Sequence, residues 1–471
     1  MFAPLLALAL AAQPMPHAGV YAAHATALSN LRTFLTRASA FAPVLSPGPL
    51  GRALGAPLAV DALDVGGWPE AGLDPKGPVL AGEWDSGFAL VLPLRDASKA
   101  LARARASLPS SGAVTEAKSG DSTLLVARRP GSGPNAVGEL TAAVAISRKR
   151  AAIWLGGGDP EFLRAALTAR LPGLERARGL SGDWVATAVQ RRGVGAAVGL
   201  APAADALAVD ARVYARGPIA VANRADPFAG FAPAGMLYAN VSLAPQALPN
   251  ARAQLLALLR ALLTQTRKPV PRTELAALLD GLAGPVALVA TGLTTARGPG
   301  STFADRYFLV SHAYAAQVRD PAKATAALDA LVNAMHAAQM PLTDAPEGAA
   351  KGSHQVQLGP NRALFFGLEG SVLYLANDAE ARTALLSALP KAPAPSAHAG
   401  SLTVDGPRAG SQLAHLSILD AARSSDLAAL FGLAVEAGPL LKALGTTTFS
   451  AEPEPHAVRL RGTLALPAAR P

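Results

Sequence analysis

Leu255, Leu258, Leu259 and Leu262 are spaced three, one and three apart, which places them on one face of a helix and predicts a helix from Pro249 with that face buried. A second stripe follows the phrase "VRDPAKATAALDAL", where Ala327, Leu328, Leu331, Val332 and Met335 recur at helical spacing. Between such stripes lie short apolar runs that read as strands. These include "GVYAAHA" and "GMLYANVSL", "GFALVLPL" from Gly87, and "RYFLVSHAYAAQV" from Arg306. The run "ELTAAVAIS" turns through Arg148 to Arg150 into "AAIWLGG", and "RALFFGLE" turns at Gly370 into "SVLYLA". Turns this tight imply antiparallel hairpins, because parallel neighbours need a crossover of a dozen or more residues.

The pattern occurs twice. "LRDASKALARARASL" in the first half answers "VRDPAKATAALDAL" in the second, so that Asp96 falls on Asp320. Tyr21 likewise falls on Tyr238, Asp159 on Asp378 and Val213 on Val458, all in the same order. Self-similarity of this kind implies an internal duplication. The fold class it predicts is α+β: two tandem copies of a unit with a mainly antiparallel sheet covered by helices on one face. The expected boundaries are a signal peptide over 1–15, a first repeat over 16–216, a linker over 217–232 and a second repeat over 233–471. The linker stretch "RGPIAVANRADPFAGFAP" is rich in turn formers, and the prolines of "LPKAPAPSAHAG" predict an extended surface excursion in the second copy.

Asp96 and Asp320 stand where a strand gives way to a helix, and Pro321 follows at the first helical position. A carboxylate there accepts hydrogen bonds from the unpaired N–H groups of the first turn, so both are read as helix caps. Asp159 and Asp378 repeat the device. Lys99 and Lys323 lie in the first turn, where the helix dipole disfavours a cation. With Arg95 and Arg319 they are the candidate anion-binding residues; the plainer reading is a surface lysine leaning on its aspartate.

The phrases "VLPLRDASKALARA" and "AAQVRDPAKATAALDAL" resemble those of a group of bacterial proteins, frequently exported and of uncharacterised function. In that group a strand ending near Asp-x-x-Lys-Ala leads into a helix, and a strand hairpin and a further helix follow. The resemblance extends over both copies. It implies this architecture and export, and supplies no catalytic residues.

At 471 residues the chain is long enough for two or three domains. It contains no cysteine, which excludes disulfides, thiolate nucleophiles and Cys-ligated metals. The net charge of +9 comes largely from scattered basic pairs such as Arg128 with Arg129 and Arg191 with Arg192. Nucleic-acid binding needs a dense stripe or stacking aromatics, so no nucleic-acid partner is expected. The apolar run from Phe2 to Ala12 is too short to span a bilayer, and it is followed by small residues suited to cleavage. It reads as a secretory signal without the usual basic start, so the protein is expected in the periplasm or outside the cell, with no integral membrane span.

The chemical motifs are sparse. "GGGDP" from Gly156 lacks the spacing of a nucleotide loop, and its counterpart "LAND" has no glycine. Glu83 and Asp85 have no match in the second copy. None of His17, His24, His312, His336, His354, His398, His415 and His456 forms a His-x-x-x-His pair, and no Gly-x-Ser-x-Gly occurs. No cofactor or metal is expected. The leading expectation is a non-catalytic envelope protein that binds an unidentified partner or ligand. The alternatives are a carrier of an apolar molecule lined by Leu255, Leu259 and Leu262, and a hydrolase whose site is assembled from distant residues.

Overall fold

The computed structural model describes residues 18–84, 87–129, 139–168, 177–189, 195–214, 221–222, 228, 235–294, 303–344, 352–387, 389, 398–417, 419, 431–432, 435 and 438–467. The expected signal peptide, nearly all of the linker and most of the Pro-rich excursion lie outside the described residues. The chain forms two compact units, one from residues 18–214 with residues from Leu460 onward, the other from residues 221–459. Both mix helices with antiparallel strands. Among the described residues no helix is long and apolar enough to cross a membrane.

The first unit contains β1 (Ala18–Ala22), α1 (Ala27–Ala38), α2 (Pro47–Gly55), β2 (Val79–Trp84), β3 (Gly87–Pro93) and α3 (Ala97–Ser107). It continues with β4 (Ala113–Ser119), β5 (Ser122–Arg129), β6 (Glu139–Ile146), β7 (Arg150–Gly156) and α4 (Phe162–Ala166). Then come β8 (Trp184–Val189), β9 (Gly195–Pro202) and β10 (Ala206–Tyr214). The strands pair in the order β4-β5-β6-β7-β3-β2-β1-β8-β9-β10.

The second unit contains β11 (Leu237–Ser242), α5 (Leu248–Leu263), α6 (Arg272–Asp280), β12 (Leu282–Leu293), α7 (Phe303–Leu309) and β13 (Val310–Val318). After these come α8 (Pro321–Ala337), β14 (Leu342–Asp344), β15 (Ser353–Gly359), β16 (Arg362–Glu369), β17 (Val372–Ala376) and α9 (Ala379–Ser387). The unit ends with β18 (Gly400–Asp405), α10 (Gly406–Ala414) and β19 (Thr446–Glu454). Its order is β14-β15-β16-β17-β13-β12-β11-β18-β19. Through their first nine strands the two orders agree rank for rank.

The chain from Leu460 onward belongs with the first unit, whereas the repeat reading counts it with the second copy. There the Leu466 N–H donates to the Asp205 carbonyl at 2.7 Å, and the Arg37 guanidinium donates to the Pro467 carbonyl at 2.7 Å.

One expected element differs. The strand read from Arg306 begins at Val310, and the residues before it form α7. Tyr307 and Phe308 of α7 are buried in the helix-side core of the second unit. Asp159, read as a helix cap, also differs: α4 starts at Phe162 with Glu161 as its N-cap, and Asp159 bonds one turn earlier, to the Glu161 N–H. The β16–β17 turn falls at Gly370, whose φ of +58° is open to glycine at little cost.

The core cluster of the first unit differs in side-chain size from the one under the helices of the second. A further cluster of the second unit is also alanine-rich, with Ala287, Ala313, Ala315, Ala376, Ala381 and Ala384. The first unit's cluster is rich in alanine, with Ala89, Ala143, Ala145, Ala152 and Ala166 packed around Phe162 and Leu163. Small side chains let the backbones approach closely: a Cβ added at Gly87 would lie 2.1 Å from the Phe162 ring. A core cluster of the second unit instead uses Leu262, Leu263, Leu275, Leu278, Leu328, Leu331 and Met335 against Val356, Leu364 and Phe366. Large branched side chains from three helices meeting a sheet are harder to fit without gaps.

Candidate functional site

The four anion candidates sit at helix starts with exposed side chains. Asp96 Oδ1 accepts from the N–H groups of Ser98 (3.0 Å) and Lys99 (3.2 Å) and from the Ser98 hydroxyl (2.6 Å). These bonds, the Ser98 hydroxyl first, hold its carboxyl below the usual aspartate value. Asp320 Oδ1 accepts from Ala322 and Lys323 N–H, both at 3.1 Å. The backbone of each Arg-Asp phrase docks on a glycine carbonyl, with Arg95 and Asp96 donating to Gly72 and Arg319 to Gly281, all at 2.9 Å. Lys323 Nζ lies 3.8 Å from Asp320, and its side chain is 87% exposed. The geometry brings capping groups together and leaves Arg95, Lys99, Arg319 and Lys323 in solvent, so the caps explain the repeated phrase. Asp320→Ala is expected to cost about 1 kcal/mol in urea unfolding, and Lys323→Ala less than half of that.

The other motifs also resolve into local structure. Gly156, Gly157 and Gly158 all have positive φ, and the Gly157 carbonyl accepts from Trp154 Nε1 at 2.7 Å. Asp159 accepts from the Glu161 N–H at 3.0 Å, and Asp378 from Glu380 and Ala381 at 2.8 and 3.2 Å. Glu83 lies on β2, while Asp85 and His17 are outside the described residues. His336 and His354 bind the two oxygens of Asp344 at 3.1 and 2.7 Å, and these bonds, His354's first, lower the Asp344 carboxyl's affinity for protons. Among the described residues no group of three or more metal-ligating side chains is placed to hold an ion.

The second unit holds a partly open apolar cavity of about 80 Å³. From the helices Leu255, Leu259 and Leu263 of α5, Leu275 of α6 and Met335 of α8 line it, and from the sheet Tyr314, Leu364, Phe366 and Leu375. Leu255 and Leu259 had been singled out in the sequence. Leu262 is fully buried in the adjoining core, and its neighbour Leu263 lines the cavity instead. A wider hollow of about 580 Å³ at Arg267, Leu358 and Arg362 is open to solvent. Its arginine Arg362 is held by Asp305 and lies over the Phe308 ring. The first pocket is lined almost wholly by apolar side chains and suits an apolar occupant; the second is lined as much by polar groups.

Beside the cavity is a buried polar cluster that local spacing did not reveal. The ring of His312 on β13 packs edge-on between Tyr307 (centroids 4.6 Å apart) and the cavity-lining Tyr314 (5.1 Å). Asn377, at the end of β17, fixes this arrangement. Its Oδ1 accepts from the His312 N–H at 2.8 Å, and its Nδ2 donates to the carbonyls of Tyr307 (2.9 Å) and Val310 (2.8 Å). His312 Nδ1 lies 2.7 Å from the Val310 carbonyl and donates to it, which leaves Nε2 of the neutral ring as an acceptor. Among the described residues, Nε2 and the Tyr307 hydroxyl are both buried without a hydrogen-bond partner. Among the described residues no serine hydroxyl or carboxylate bonds to His312.

Burial lowers the His312 pKa from 6.5 to about 4, against the opposing effect of its bond to Val310. As pH falls below 6.5, the unfolded chain takes up a proton that the folded one refuses until about 4. The stability contributed by the neutral ring is therefore complete above 6.5 and is lost through that window, by up to about 3 kcal/mol. Urea midpoints at pH 7.5 and 4.5 should show this loss, and His312→Gln should remove most of the difference.

No family model, curated protein or solved structure matches this chain.

Proposed function

We propose that the chain is a duplicated, exported, non-catalytic binding protein whose second unit carries an apolar molecule between its helices and its sheet. The observation behind this reading is the apolar pocket, whose lining from Leu255 to Leu375 offers almost no polar surface. Ligand pockets commonly measure about 300–1,000 Å³, so a cavity of about 80 Å³ holds only part of a chain-like molecule until it widens. Widening at helix α5 would disturb the fewest fully buried side chains. Its Leu255, Leu256, Leu258 and Leu259 are only half-buried, whereas Leu328, Leu331 and Met335 of α8 are buried. Duplication is supported by the matching strand orders, and export by the apolar run from Phe2 to Ala12.

Native mass spectrometry of the protein purified from its own organism tests the carrier reading. An apolar molecule retained at one per chain is the expected result. Protein that is consistently empty would instead favour binding of a macromolecular partner at its surface.

A further inference from the structure

We propose that the wider hollow of the second unit is a second binding site, for a small molecule with a carboxylate head and an apolar body. It lies where the helical turn Thr264–Thr266, which continues α5, meets the turn between β15 and β16. Gln265, Arg267, Leu358, Pro360 and Asn361 line it, and no residue lines both this hollow and the apolar pocket. Its volume of about 580 Å³ falls within the range of about 300–1,000 Å³ common for ligand pockets.

The wall offers donors that the fold does not use. Among the described residues the side chains of Gln265, Arg267 and Asn361 make no hydrogen bond or ion pair. Arg362, the other arginine of the wall, is held by Asp305 and lies 5.7 Å from the Phe308 ring centre. Asp305 offsets its charge, so the open positive charge of the wall is that of Arg267. A carboxylate accepts two parallel hydrogen bonds from a guanidinium fork, and the two amides add further donors. Leu358 and Pro360 supply the apolar surface against which the body of the ligand rests.

The backbone points to the same residues. Of the four non-glycine residues with positive φ among the described residues, Arg267 and Asn361 are two. Strained backbone at a non-glycine residue is characteristic of binding sites. Asparagine tolerates this conformation, whereas arginine is strained in it, and glycine is the usual residue at a helix end. Arg267 has φ +58° at that end. Its charge complements the helix dipole, but the adjacent Lys268 gives the same complement without the strain. Placement of the guanidinium at the hollow is what the strained position gains.

The test is titration calorimetry of the full chain at pH 7 with benzoate, benzyl alcohol and inorganic phosphate. The proteins are the wild type, Arg267→Gln, Arg267→Gly and Lys268→Gln. The site requires one benzoate per chain, bound at least about tenfold more tightly than benzyl alcohol or phosphate. Both Arg267 variants should weaken benzoate at least about tenfold, and Lys268→Gln by less than about twofold. Glycine suits the left-handed backbone, so Arg267→Gly should match or exceed the wild-type Tm, which shows that the variant folds. Equal benzoate affinity in the wild type and the Arg267 variants, or an equal loss in Lys268→Gln, refutes the site. So does a wild type that binds no benzoate, or one that binds phosphate as tightly. These failures leave the apolar-carrier reading standing.

Discussion

Asn377→Ala is expected to destabilise the second unit by about 3–5 kcal/mol. Asn377 is 2% exposed, and its amide is the partner of the His312 N–H and of the Tyr307 and Val310 carbonyls. Alanine leaves these groups buried with fewer partners and opens no route for water to replace the amide. Each unsatisfied group costs about 1–3 kcal/mol, and the losses fall on one junction, where α7 passes into β13. Tyr238, Tyr307, Tyr314 and Tyr374 lie in this unit, whereas Trp68, Trp84, Trp154 and Trp184 all lie in the first. Near-ultraviolet circular dichroism of the tyrosines during urea unfolding therefore reads the change. A loss under about 1 kcal/mol would mean that the amide does not organise the polar cluster.

The second large effect belongs to the first unit. Gly72→Ala should cost about 2–4 kcal/mol, read by tryptophan fluorescence in urea. Gly72 has φ +78°, and a Cβ there would lie 2.3 Å from the Asp96 carbonyl oxygen and 3.0 Å from Lys99 Cβ. Backbone cannot retreat at that point, because the Gly72 carbonyl also holds the N–H groups of Arg95 and Asp96. Gly120→Ala is the control. Its φ of +54° carries the left-handed cost of about 1 kcal/mol, but nothing lies within 4 Å of the added Cβ. The difference between the two isolates the steric clash that fixes the start of α3.

Much of this architecture could be read from the chain because its signals are local. Asp96 and Asp320 announce helix starts within three residues of themselves, and Gly370 marks a hairpin between two apolar runs. The "RYFL" end of α7 was read as strand because a few largely apolar residues running into a strand show no period that separates helix from strand. The polar cluster was beyond reach for a different reason. His312 and Asn377 are far apart in sequence and meet only because β13 pairs with β17. The one available hint was His312 and Tyr314 two apart on a strand, a spacing that places both on one face. The leucine stripe of α5 identified one wall of the cavity, but its size depends on Leu364, Phe366 and Leu375, which face it from the sheet.

Anomalous diffraction from crystals of the full chain grown with 6-bromo-1-hexanol tests the binding site most directly. The account expects one bromine peak per chain among Leu259, Leu275 and Met335. Bromine found only at the surface would contradict it.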